Sequence, residues 1–108
     1  MDMVKQYEIY FVSLDPTVGA EVRKTRPCLV ISPDETNQYL KTVIIAPITS
    51  TIKSYPTRIN ILLQNRSGQI MLDQLRSIDK LRLMNKVADL SAEKIIEVKN
   101  VIREMLVD

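Results

Sequence analysis

A mainly β domain is predicted from this sequence: a small, curved antiparallel sheet or partly open barrel, with one C-terminal helix against it. Short runs rich in β-branched and aromatic residues recur along the first 90 positions, each stopped by turn chemistry. Two of them, Cys28–Ile31 and Thr42–Ala46, are apolar without alternation, as expected of central strands covered on both faces. Only after Ser91 do apolar residues recur at helical spacing.

The elements follow in order. Tyr7–Leu14 reads as the first strand, ended by Asp15-Pro16. A polar loop, Thr17–Arg26, contains Gly19, one of only 2 glycines. Strand two is Cys28–Ser32, stopped by Pro33-Asp34, and Asp34–Asn37 is a turn of helix or a tight loop. Thr42–Ala46 is strand three, with Pro47 at its edge or end. Thr57–Leu63 alternates as a half-buried strand with Arg58 and Asn60 outward, and Asn65–Gly68 is turn chemistry. Gln69–Leu72 is a short strand, Asp73–Asp79 is mixed in character, and Lys86–Leu90 suits one more strand. Ser91 is a suitable N-cap for a helix of about 15 residues. Its core stripe is Ile95, Val98, Ile102, Met105 and Leu106, while Ile96 and Val101 fall off it and are candidates for a second surface.

The 108 residues suit one domain, 1–108, large enough for a core without staples. No apolar run reaches the roughly 20 residues needed to cross a bilayer, and the N-terminus lacks a signal-peptide layout. The single cysteine, Cys28, sits in an apolar strand and cannot form an internal disulfide, which suits a reducing cytoplasm. With no histidine, the usual zinc sites and histidine-dependent triads are excluded. Catalysis would fall to carboxylates, hydroxyls and basic side chains, or to an oxygen-ligated metal. Charge is unevenly spread. Residues 23–86 hold eleven Lys and Arg against four Asp and Glu, between two acidic ends. A basic middle of this kind suits a polyanion-binding face.

Within that middle, Arg26-Pro27 stands at a stiff junction between the polar loop and an apolar strand, because proline restricts both residues. Arg26 is therefore an anion-binding candidate, or else a surface arginine beside a strand start. Three hydroxyl side chains, Thr49, Ser50 and Thr51, cluster where the chain leaves strand three.

Three motifs in order, Leu14-Asp15-Pro16…Gly19…Glu21…Arg26-Pro27-Cys28-Leu29-Val30-Ile31-Ser32, then Ile45-Ala46-Pro47-Ile48-Thr49-Ser50, then Asp73-Gln74-Leu75-Arg76-Ser77-Ile78-Asp79, resemble the MazF/PemK family, the toxins of bacterial type II toxin–antitoxin modules. The resemblance covers nearly the whole chain. It implies an SH3-like β-barrel with a C-terminal α-helix, a homodimer, and an endoribonuclease that cuts single-stranded RNA at short sequences without metal or other cofactor. It also implies a cognate antitoxin whose acidic, disordered segment occupies the RNA groove. Relatives often carry Gly-Asp or Gly-Glu before the first strand. Here Gln6-Tyr7-Glu8 keeps the acid and lacks the glycine, and Ala20 stands where some members have a histidine.

In this family the ribose 2′-OH attacks its own phosphate, leaving a 2′,3′-cyclic phosphate and a 5′-OH, so the chemistry itself rejects DNA. Arg26 matches the family's catalytic arginine, whose guanidinium suits stabilisation of phosphorane charge better than proton transfer. Thr49 matches the family threonine that orients phosphate or 2′-OH; an ST-turn closing the strand is its structural alternative. Asp73 and Glu21 match the two acids that relatives use as base, and Asp73 reads equally as a turn acid bonded to backbone amides. Lys24, Ser50, Lys53, Arg58, Gln74 and Arg76 are candidates for RNA contact, with Arg66 and Arg82 as further cations. Two other readings share the fold. One is a CcdB-like gyrase poison, which the absence of tryptophan disfavours; the other is a passive RNA- or peptide-binding module.

Overall fold

Seven strands and two helices make up the computed structural model, which describes residues 3–14 and 25–107. They are β1 (Glu8–Ser13), β2 (Thr25–Val30), α1 (Asp34–Tyr39), β3 (Thr42–Thr49), β4 (Arg58–Leu63), β5 (Arg66–Met71), β6 (Arg76–Asp79), β7 (Leu83–Asp89) and α2 (Ala92–Leu106). Tight 3-10 turns occupy Leu72–Gln74 and Lys80–Arg82. All pairings are antiparallel, in the order β4-β5-β3-β2-β1-β7, with β6 also on β3. The sheet curls into a half-barrel and α2 packs against it.

The runs Cys28–Val30 in β2 and Val43–Ile48 in β3 are apolar because each face of the sheet has its own core. Leu29, Ala46 and Ile48 pack with Ile59, Ile61, Ile70, Leu72 and Val98 beneath α2. Cys28, Val30, Val43 and Ile45 pack with Val4, Val12, Leu14 and Ile78 on the other face. Alternation along β2 and β3 thus sends successive side chains into two different interiors.

Several expected boundaries move. β3 does not end at Pro47 but runs through it to Thr49. On one edge β3 pairs with β6 over Thr42–Ile45 and with β5 at Ile48 and Thr49. Pro47 falls between these two partners, where a missing N–H costs no ladder bond. The turn expected at Asn65–Gly68 is instead the two-residue loop Gln64-Asn65, because Leu63 pairs with Arg66. Both loop residues have positive φ, 49° and 64°, as a type I′ hairpin requires. β2 begins at Thr25, so Arg26 and Pro27 lie inside the strand, and β7 begins at Leu83.

Tyr7 has φ 70°, the left-handed region that favours glycine. This is the position where the family resemblance leads one to expect glycine. Its backbone is held at both ends: Tyr7 N–H donates to Val30 O at 2.8 Å, and Leu90 N–H donates to Tyr7 O at 3.0 Å. On α2, Ser91 caps the helix by accepting from Lys94 N–H at 3.3 Å. Val101 joins Ile95, Val98, Ile102 and Met105 on the core face, while Leu106 is exposed. At 100° per residue Val101 lies about 60° from Val98 and Leu106 about 80°, on opposite sides.

Candidate functional site

A groove of about 580 Å³ opens where β2, the end of β3 and the β4–β5 hairpin meet. Arg26, Thr49, Ser50 and Arg66 line it, with Phe11, Pro27 and Leu63 giving an apolar flank. The strand register explains why these residues meet. Asn60 pairs with Gln69, Gln69 with Thr49, and Arg26 with Val12. Cys28 opposite Pro47 is the last β2–β3 pair, and two residues beyond it on each strand Arg26 and Thr49 both line the groove. One row of the sheet therefore carries Asn60, Gln69, Thr49 and Arg26 side by side, on one face. Residues 23 apart in sequence become neighbours through the β2–β3 pairing.

Among the described residues the Arg26 guanidinium has no ion-pair or hydrogen-bond partner, so its donors are available to a ligand. Thr49 Oγ1 accepts from Thr51 N–H at 3.1 Å, forming the ST-turn that ends β3. That bond uses an acceptor lone pair and leaves the hydroxyl proton to donate into the groove. Gly68 lets β5 approach this point closely: a Cβ there would lie 3.1 Å from Thr49 O. Between the two arginines the groove offers fork-like donors to an oxyanion.

The remaining sequence candidates are distributed as follows. Asp73, in the 3-10 turn after β5, accepts from Arg58 Nε at 2.8 Å and from Thr57 Oγ1 at 2.9 Å, and it does not line the groove. The Arg58 hydrogen bond holds its carboxyl below the usual carboxylate range. Arg58 is correspondingly engaged, with a side chain only 8% exposed and Tyr55 lying 5.0 Å below its guanidinium. Gln74, Arg76 and Lys53 are exposed and off the groove wall. Arg76 shares the row of Ile45 and Val30, on the same face as Arg26. Arg82 donates to Ser13 O at 3.1 Å. Glu21 and Lys24 lie outside the described residues, as does most of the loop before Arg26. Burial pushes the Cys28 thiol up to about 12 despite nearby Arg26 and Arg76, so it remains a neutral core group.

Sequence reasoning overlooked Gln69, which is 3% exposed beside Thr49 and hydrogen-bonded to Lys53 and Asn60. It read simply as the start of a strand. Gln69 follows the polar Arg66-Ser67-Gly68 and heads the apolar run Ile70–Leu72, so nothing local signals its burial.

Comparison with known proteins accords with this arrangement. The family described as PemK-like, MazF-like toxin of type II toxin–antitoxin system matches residues 5–106. The chain is 36% identical over 104 residues to "Endoribonuclease MazF" of Staphylococcus epidermidis, covering 91% of this chain and 87% of that protein. It is 39% identical over 97 residues to "Endoribonuclease EndoA" of Bacillus subtilis strain 168, covering 84% of each. In three dimensions it resembles the MazE-MazF crystal structure from Deinococcus radiodurans, with TM-score 0.85 at 26% identity over 98% of this chain and 97% of that one. A match over nearly the whole length, on a half-barrel whose register joins the first two sequence motifs, places the chain in the PemK-like, MazF-like toxin family of type II toxin–antitoxin systems.

Proposed function

We propose that the protein is the endoribonuclease toxin of a toxin–antitoxin pair and cleaves single-stranded RNA in the Arg26–Thr49 groove. The observation that carries this is the Arg26 guanidinium, unpaired among the described residues, beside a threonine hydroxyl whose proton is free to donate. The endoribonuclease relatives support the activity. RNA brings its own nucleophile, the 2′-OH. Attack forms the O2′–P bond and breaks the P–O5′ bond, the leaving oxygen taking a proton from water to give the 5′-OH. Negative charge rises meanwhile on the non-bridging oxygens, and Arg26 stabilises it more strongly there than in the ground state. Thr49 orients the phosphate or the attacking hydroxyl, and Arg66 and Ser50 hold flanking phosphates. The Arg58 hydrogen bond lowers the proton affinity of Asp73 and makes it a poor base, and Glu21 is the better candidate to accept the 2′-OH proton.

The protein acts as a homodimer in the cytoplasm in this reading. No helix among the described residues is long and apolar enough to cross a membrane. The partner is a cognate antitoxin with an acidic, disordered segment that occupies the groove; the MazE-MazF pairing of a structural neighbour supports a proteinaceous antitoxin. The test is incubation of purified protein with mixed-sequence RNA in EDTA, followed by mapping of the product ends. Products ending in 2′,3′-cyclic phosphate and 5′-OH are expected. Binding without scission, by protein whose folding is verified, would make the domain a binding module and sink the enzyme reading.

A further inference from the structure

The segment between β3 and β4, Ser50–Thr57, borders the groove through Ser50 and Thr51. It has no strand partner of its own; Thr57 at its end accepts from Leu72 N–H and donates to Asp73, and three further contacts fasten it before that. Thr51 N–H is held by Thr49 Oγ1. Tyr55 packs under Arg58, which Asp73 holds. Midway, the Gln69 side chain grips the backbone of Lys53 on both sides: Oε1 accepts from Lys53 N–H at 3.0 Å, and Nε2 donates to Lys53 O at 2.9 Å. The second Nε2 proton goes to Asn60 Oδ1 at 2.8 Å, which fixes the orientation of the amide. A buried side-chain amide thus stands in for a missing strand and pairs with the segment as backbone would.

Gln69 is next to Thr49 in the row that ends at Arg26. Its amide therefore fixes the distance between the candidate catalytic threonine and the wall of the groove against which a base would lie. We infer that Gln69 is a positioning residue for sequence preference: by clamping Lys53 it holds the Ser50–Thr57 segment in one conformation, and the segment's groove-lining end, Ser50 and Thr51, selects which RNA bases fit beside Arg26 and Thr49. The inference rests on the ribonuclease reading above. Gln69 touches neither RNA nor the reacting atoms, and its effect passes through the wall. Loosening the wall lets more sequences bind productively and weakens binding of the preferred one, while Arg26 and Thr49 stay in their strands.

Two variants break the clamp from opposite sides. Gln69→Leu removes the amide from within the core, and Lys53→Pro removes the N–H from the exposed segment while leaving Gln69 in place. Lys53→Ala is the control, since it deletes the charge and keeps the backbone bonds. The readouts are the distribution of cleavage sites on mixed-sequence RNA, and KM and kcat on the preferred site. Both clamp variants are expected to cut with the ratio of preferred to disfavoured sites reduced about tenfold, KM rising more than kcat falls. Lys53→Ala, which loses the same charge as Lys53→Pro, is expected to broaden the distribution less than Lys53→Pro does. Should Gln69→Leu fail to fold, Lys53→Pro carries the test alone. An unchanged distribution in a folded clamp variant, or equal broadening in Lys53→Ala and Lys53→Pro, overturns the inference and leaves the ribonuclease reading standing. Failure of the wild type to cut any RNA overturns both.

Discussion

Arg26 is held by strand pairing and by its proline neighbour, while its guanidinium is uncommitted among the described residues. Removing it therefore costs the fold little and the reaction much. Arg26→Ala is expected to lower RNA cleavage by about 10²–10³-fold, the scale of losing one preorganised charge donor. Its melting temperature should stay within a few degrees of wild type, and a large drop would reassign Arg26 to structure. Asp73 presents the opposite case. Its carboxylate satisfies Arg58, whose side chain is nearly buried, so Asp73→Asn should cost about 1–2 kcal/mol, a modest figure because the carboxylate is 32% open to water. The lowered pKa gives a sign to test. A folded value below the unfolded one, near 3.9, means that stability from this pair is complete above that pH. It is lost as pH falls through the folded value. Denaturant titrations of wild type and Asp73→Asn should converge at acid pH and separate towards neutrality; a constant gap would assign the cost to something other than ionisation.

The β4–β5 hairpin and the end of β3 form one unit that sets the groove's shape. The hairpin's positive-φ pair, Gln64-Asn65, fixes the register that places Gly68 against Thr49. A methyl group at Gly68 would push on a backbone carbonyl, which cannot swing aside. Gly68→Ala is expected to destabilise the protein by about 1–3 kcal/mol and to lower cleavage as Thr49 is displaced, both measurable on one preparation by thermal melting and an RNA assay. Unchanged activity would show that Thr49 tolerates the shift. At the other end of the chain, Ser91→Ala removes the α2 cap and should cost about 1 kcal/mol in the same melt, without touching the groove.

The helix and the half-barrel stabilise each other across one shared core. Val98 is fully buried where α2 meets the sheet. Val98→Ala should cost about 2 kcal/mol through lost burial and the cavity left behind. In a domain of this size that lowers the melting temperature by roughly 8–16 °C. A smaller loss would mean that α2 settles into the gap. Ile48 joins this core to the groove lining, but Val98 itself lies outside the groove, so Val98→Ala should retain its RNA cleavage-site distribution below its melting temperature. Wherever the distribution changes with α2, the helix participates in shaping the site.

Six of the seven strands, the terminal helix with its Ser91 cap, and the ordered motifs around Arg26, Thr49 and Asp73 were legible in the primary structure; β6, short and mixed in character, was not. β-branched runs, helical periodicity and proline junctions express local sterics, and local sterics are written residue by residue. The partnerships were not legible. Asp73 and Arg58 are 15 positions apart, and nothing local shows that they satisfy one another instead of meeting RNA. Pro47 looked like a terminus because its harmless position depends on β5 and β6 leaving a gap along β3. The row that joins Gln69, Thr49 and Arg26 exists only once three strands are in register, since hydrogen-bonded pairing brings distant residues side by side. The sequence by itself therefore determined which side chains could do chemistry, and the tertiary structure decided which are free to do it.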